Sequence, residues 1–287
     1  MPSQAGGLKE KEDIMNRIAR VPVLAAATIA LVASMAGCKR LEARDQLNKG
    51  VQAYKAAKYE EAIDHFQKAV SLDPTYPMTR LYLATAYMQQ VTPDNTSPDN
   101  LKTAQMAINT YQQVLQDHPD DPGSLKGIAA LYYDIDKFDD AKQWQVKVLQ
   151  ADPQDAEAAY TIGVIDFGNA LRNATKVISG AGQQVDGLGN AKLPKKECED
   201  LAAQNTPLIN DGFDYLNKAI QIRPNYEDAM AYLNLMYRRK AETECGNDAA
   251  RKADVAQADS WREKAMGVRK ENEEKANSKA GGGIVMK

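Results

Sequence analysis

An all-α protein built of consecutive helical hairpins is what this sequence predicts, and three observations carry that expectation. Pro119 and Pro153 stand 34 residues apart, and the stretch between them repeats a pattern already present over Ala43 to Tyr76. Within each such stretch small residues alternate with large apolar ones at helical spacing, the signature of helices packed in pairs. The composition agrees: apolar residues make up 44% of the chain and there are only 12 Pro, a profile that suits helices better than strands or disorder.

The first unit runs from Ala43 to Tyr76 and carries Gly50, Tyr59, Ala62, Phe66, Ala69 and Pro74 in order. The third, from Pro122, carries Leu125, Ile128, Ala129, Tyr132, Phe138, Ala141, Val148 and Pro153 without a gap. The second fits if extra chain is admitted. Its helices hold Leu83, Ala84 and Tyr87, then Ala104, Ala107, Tyr111 and Val114, and the turn-rich segment Val91 to Asn100 lies between them as a loop. The fourth has Ile162, Gly163 and Phe167 at one end and Gly212, Leu216 and Ala219 at the other. Its first helix should end near Ile178, where Gly180 and Gly182 follow. Pro194 should open a further helix, and Pro207 should start or kink the last piece. A fifth hairpin begins at Glu227 with Met230, Leu233 and Tyr237, and its partner, about Asp248 to Lys270, carries Ala258, Trp261 and Ala265.

These residues resemble the tetratricopeptide repeat, a helical hairpin of about 34 residues. Gly50 and Ala62 stand where the family has small residues, Phe66 where it has an aromatic, and Pro74 where it closes the unit. The resemblance implies a right-handed superhelical solenoid of about five hairpins over residues 43–275, with insertions in the second, fourth and fifth. The charged outer side of the last helix suits a terminal cap, and residues 276–287 are expected to be a disordered tail.

The N-terminus has a different character. Arg17 and Arg20 precede an apolar run, Val21 to Met35, and Ala36-Gly37-Cys38 follow. A positive region, a short apolar stretch and a small-residue end make a secretory signal peptide, expected over residues 1–37. Acidic residues Glu10, Glu12 and Asp13 are unusual there, and translation from Met15 would leave an ordinary positive region. The Met35-Ala36-Gly37-Cys38 end resembles the lipobox of bacterial lipoproteins, with Met35 where Leu is usual. That resemblance implies lipidation of Cys38 and a tethered linker over 38–42. It also implies a bacterial envelope location facing the periplasm, with the outer membrane the better expectation because Lys39 follows the cysteine.

No chemistry-bearing constellation stands out. The two histidines, His65 and His118, have no Cys or carboxylate at metal-ligand spacing, and there is no HExxH, CxxC or phosphate-cradling glycine loop. Gly180 and Gly182 lack the strand-then-helix setting of a dinucleotide loop. No enzyme, cofactor or metal is expected. A formal charge of -3 with no basic stretch speaks against nucleic acid. Cys198 and Cys245 each lie in an insertion of adjacent units, and an oxidising compartment would let them pair. A disulfide pinning the fourth unit's insertion to the fifth hairpin is expected, with two unpaired small apolar residues as the alternative.

In the family the first helices line a groove. Transferring its inward positions names Leu47, Val51 and Tyr54 in the first unit, Leu81 and Met88 in the second, Tyr133 in the third, and Tyr160, Val164 and Phe167 in the fourth. Leu47 and Val51 stand where a clamp for acidic C-termini would need Lys and Asn, which disfavours that ligand. An aromatic groove suits an extended or helical apolar segment of a protein partner. The alternatives are a small-molecule or glycan ligand in the same groove, or a groove covered by the long insertion or the N-terminal segment.

Overall fold

A computed structural model describes residues 38–76 and 78–281, and side-chain burial over 38–76 and 78–278. The expected signal peptide, residues 1–37, lies outside the described residues, as do 282–287. Every regular element among the described residues is a helix: α1 (38–55), α2 (Tyr59–Leu72), α3 (Thr79–Met88), α4 (Pro98–Asp117), α5 (Pro122–Asp134), α6 (Phe138–Ala151), α7 (Ala156–Gly180), α8 (Lys195–Ile222), α9 (Glu227–Ala241) and α10 (Asp248–Gly281). They form two compact units. One holds α1 to α4, and the other comprises Pro93–Thr96 and the chain from His118 onward.

In the first unit the hairpin of α1 and α2 closes at Gly50. A Cβ there would lie 2.5 Å from Cε1 of Phe66, whose side chain is fully buried and stacks on Tyr82 with ring centroids 5.7 Å apart. Ala62 and Ala69 of α2 are fully buried as well, as the spacing requires. The turn from α1 to α2 places Ala57 at φ 56°, with the Lys58 N–H donating to the Ala53 carbonyl at 3.0 Å. The second hairpin, α3 and α4, buries Leu83, Ala84 and Tyr87 against Ala104, Ala107 and Tyr111.

The second unit repeats these devices. Between α5 and α6 Asp136 takes φ 60°, and the Lys137 N–H donates to the Tyr132 carbonyl at 2.9 Å, the same turn as at Ala57. Asp121 caps α5 by accepting from the Ser124 N–H at 2.7 Å, with Pro122 in the first turn. Asp155 caps α7 by accepting from the Ala158 N–H at 2.9 Å. Caps of this kind satisfy otherwise orphaned N–H groups and stabilise a helix by about 1 kcal/mol. The Asp-Pro turns recur too: Asp73 Oδ1 accepts from the Thr75 N–H and Asp152 Oδ1 from the Gln154 N–H, each at 3.0 Å.

The fourth hairpin differs in part from the sequence expectation. As expected, α7 runs on to Gly180 and Pro194 opens α8, but α8 continues through the segment expected as a separate last piece, so α7 has 25 residues and α8 has 28. Pro207 lies inside α8 and neither starts nor ends it. An interior Pro costs a helix about 3 kcal/mol, but α8 is held on both sides of it, by Leu201 and Asn205 before and by Ile209 and Leu216 after. Asn205 is fully buried, donates to the Ala170 carbonyl at 2.9 Å and accepts from Asn173 at 3.0 Å. The extended ends of α7 and α8 build a small core of Ala174, Ile178 and Leu201, flanked by Val177, Val185 and Leu193.

The loop from α7 to α8 is fastened to the fifth hairpin. Cys198 and Cys245 form a disulfide, as expected, with sulfurs 2.09 Å apart. Arg238 donates to the Gly187 carbonyl at 2.6 Å and Arg251 to the Leu188 carbonyl at 3.0 Å. Two further boundaries shift. Residues 38–42, expected as a linker, are helical, and α10 runs to Gly281, past the point where disorder was expected. Arg269 and Asn272 both reach the Glu227 carboxylate at 3.1 Å and tie the outer helix to the start of α9.

Two carboxylates are buried in the second unit. Asp166 is fully buried and receives Lys142 at 2.6 Å, yet burial still pushes its pKa up to about 6. Glu242 is buried beside Arg239 at 2.9 Å, and burial pushes it up to about 7 against the pull of that guanidinium. A proton held more tightly by the folded than by the unfolded chain makes stability fall as that proton is lost. Between the ordinary carboxylate range and pH 7 these two groups therefore lower stability as pH rises.

Three outcomes are expected. Gly50→Ala lowers stability by about 1–2 kcal/mol in urea unfolding, because overpacking a filled core exceeds the ~1 kcal/mol helix-propensity gain of Ala. Melting temperature falls from pH 5 to pH 7.5, and Glu242→Gln flattens that decline. Replacing both Cys198 and Cys245 by Ser costs up to about 4 kcal/mol, the chain-entropy figure for a separation of 47 residues, read in the same unfolding assay.

Candidate functional site

The second unit has an open cleft of about 340 Å³ built from four helices. Helix α5 contributes Tyr133 and Asp134, α6 Gln145, α7 Glu157, Tyr160 and Val164, and α9 Tyr232. The aromatic groups are fixed by one another. Tyr160 packs on Tyr232 with centroids 5.5 Å apart and on Tyr226 at 5.0 Å, and Phe167 meets the same Tyr232 edge-on at 5.5 Å. Tyr133 sits edge-on to Phe138 at 5.3 Å and is 37% exposed, so one side of it remains open to a ligand.

Charge in the cleft is one-sided. Partial burial raises the Asp134 carboxyl above its ordinary range, and the neighbouring Asp94 carboxylate adds to it. Asp94 is held there by its main-chain N–H, which donates to the Asp134 carbonyl at 2.8 Å. Burial raises the phenols of Tyr133 and Tyr160, with nearby tyrosines and carboxylates adding to it, so both stay neutral donors across the physiological range.

Of the groove residues named from sequence, Tyr133, Tyr160 and Val164 line this cleft together, and Phe167 joins them through Tyr232. Those of the first unit take other places. Leu47 lines a separate cleft of about 790 Å³ with Leu41, Met78, Tyr82, Arg40 and Arg44. Tyr54 packs edge-on against Tyr59 at 5.4 Å. Met88 turns its sulfur to the Tyr111 hydroxyl at 3.6 Å, inside the α3–α4 hairpin. Val51 and Leu81 are half-buried and line neither cleft. The long insertion lines neither as well.

Sequence reasoning missed Tyr232, Tyr226, Asp134 and Glu157. The first of these had a usable signal: Tyr232 lies in the first helix of the fifth hairpin, to which the groove positions had not been carried. Cys38 is exposed and free at the start of α1. No group of metal-ligating side chains occurs among the described residues.

Comparison with known proteins agrees with this architecture. A TPR repeat model matches residues 53–91, and a Tetratricopeptide repeat model matches residues 102–164. Over these two segments the chain carries tetratricopeptide-type repeats. Among solved structures, a crystal structure of the MamA protein is similar at 13% identity and a TM-score of 0.53, over 81% of this chain and 94% of that one. MamA from Desulfovibrio magneticus RS-1 is similar at 17% identity and a TM-score of 0.52, over 80% and 96% of the two chains. At such identities the likeness concerns the fold alone. No curated protein matches the sequence.

Proposed function

We propose that this chain is a lipid-anchored scaffold of a bacterial cell envelope that holds a protein partner in its aromatic cleft. The observation that carries the reading is the cleft of Tyr133, Tyr160 and Tyr232, half-open and braced by helices on several sides. Rigid aromatic side chains lose little conformational freedom when a partner settles on them, which is why they serve so often as binding anchors. Repeat hairpins suit that task because neighbouring first helices present a continuous row of side chains without any one hairpin bearing a deep pocket.

Anchoring and export rest on the sequence of residues 17–38, with two supporting observations. Cys38 is exposed, as acylation of its thiol requires. The Cys198–Cys245 disulfide suits a compartment in which thiols oxidise. No helix among the described residues is long and apolar enough to cross a membrane, so a lipid on Cys38 would be the tether in this reading.

In-cell crosslinking and affinity capture of the tagged chain should recover one defined partner. Changing Tyr133 and Tyr160 together to Ala should reduce that recovery by at least about tenfold, the scale of a lost interface anchor. Metabolic labelling with an alkyne fatty acid should mark the wild-type chain and not Cys38→Ser. A partner indifferent to the tyrosine changes would remove the cleft from the proposal, and an unlabelled wild-type chain would remove the anchor.

A further inference from the structure

The cleft of the second unit has a chemical preference that its aromatic lining alone does not convey. Its walls carry two carboxylates, Asp134 and Glu157, and no lysine or arginine. Neither carboxylate forms an ion pair with a described residue. Lys126 is paired with Asp155, itself almost fully buried, and its charge also acts on Glu157 without a direct ion pair. Further negative charge gathers around the site: Asp94 and Asp136 act on Tyr133, and Asp228 on Tyr160. The neighbouring rings show what such a surface accepts. The Arg172 guanidinium lies over Phe138 at 4.9 Å, and the Arg223 guanidinium lies over Tyr226 at 4.3 Å. Phe138 packs on Tyr133 and Tyr226 packs on Tyr160, so the protein's own arginines cover the rings on either side. Between them Tyr133, Tyr160 and Tyr232 carry no cation from the described residues.

We infer that this cleft receives an arginine or lysine side chain from a basic segment of the partner protein, seated among Tyr133, Tyr160 and Tyr232 and paired with Asp134 and Glu157. The inference rests on the protein-binding reading above and supplies the partner's chemistry. Two effects act together: the ring faces attract a cation through their quadrupoles, and the carboxylates supply a counter-charge that no direct ion pair with a described residue engages. The partner's apolar residues would then rest on Val164 and the tyrosine edges. An acidic segment would meet repulsion from Asp134 and Glu157 here.

The test uses the full chain in detergent and an array of synthetic twelve-residue peptides of graded net charge. Bound peptides should be enriched in Arg and Lys. Replacing those residues by Gln in a bound peptide should weaken it about tenfold or more, as loss of a desolvated cation with its aromatic and carboxylate contacts implies. Asp134→Asn with Glu157→Gln should weaken basic peptides to a similar extent, and Asp134→Lys with Glu157→Lys should shift selection toward acidic ones. Circular dichroism and melting curves establish that each variant is folded. Peptides bound without charge preference, yet lost when Tyr133 and Tyr160 are changed to Ala, would overturn the cation assignment and leave the protein-binding groove standing. Binding of acetyl-arginine amide as tight as that of the best peptide would overturn the choice of a protein segment. No binding by any peptide would overturn this inference and the groove together.

Discussion

The close approach of two helices within a hairpin is the constraint on which the rest of the molecule depends. At Gly50 a Cβ would lie 2.5 Å from the Phe66 ring and at Gly163 2.5 Å from the Leu216 side chain, so either would force its neighbour to shift. Fully buried alanines at 62, 69, 84, 107, 129, 141, 159, 219, 229 and 258 extend the rule along every hairpin. Small residues on one helix let a large one from its partner fill the contact, so each hairpin is thin and leaves an apolar flank. A single hairpin cannot bury that flank, and neighbouring hairpins do so by packing on one another. In this chain α2 packs on α3 in one unit, and α6 on α7 and α8 on α9 in the other.

The same thinness explains where function can reside. In the second unit Tyr133, Tyr160, Phe167 and Tyr232 stay outside the buried core, which Ala, Leu and Ile side chains fill. Tyr133 keeps an open side, while Tyr160, Phe167 and Tyr232 brace one another and form a firm wall. The adjoining arginines, Arg172 and Arg223, extend the aromatic surface and cover its two flanks. What remains uncovered is a short stretch whose carboxylates, Asp134 and Glu157, form no direct ion pair with a described residue.

The fourth and fifth hairpins show how a repeat tolerates a large addition. The added residues continue α7 and α8 in register and carry their own apolar contacts, so the loop joining them is displaced to the far end. There the Cys198–Cys245 bond and the bonds from Arg238 and Arg251 fasten it to the fifth hairpin. Buried ionic groups gather beside that junction. Arg239 and Glu242 hold each other in a site where burial opposes ionisation of both. Such a pair contributes little net stability but is costly to mispair. It therefore favours one seating of the junction over others.

By itself the sequence determined the helical hairpins, their order and their turns. These follow from rules legible in the chain: the 34-residue recurrence from Pro119 to Pro153, the small residues at Gly50, Ala62 and Gly163 where paired helices meet, and the capping aspartates of the first helical turns. It also pointed to the cysteine pair, since both residues fell in insertions of adjacent hairpins. Tertiary structure alone decided which aromatic residues share a cleft. Tyr54 and Met88 stand at the same repeat position as Tyr133, yet Tyr54 turns to Tyr59 and Met88 to Tyr111, because each found a partner on a neighbouring helix. Tyr232 entered the cleft from a helix to which the groove positions had not been carried. Helix α8 continues through Pro207, where a start or kink was expected, because contacts from α7, distant in sequence, outweigh the local cost of a missing N–H. Periodicity specifies which residues face a neighbour, whereas the identity of that neighbour depends on packing between segments far apart in the chain.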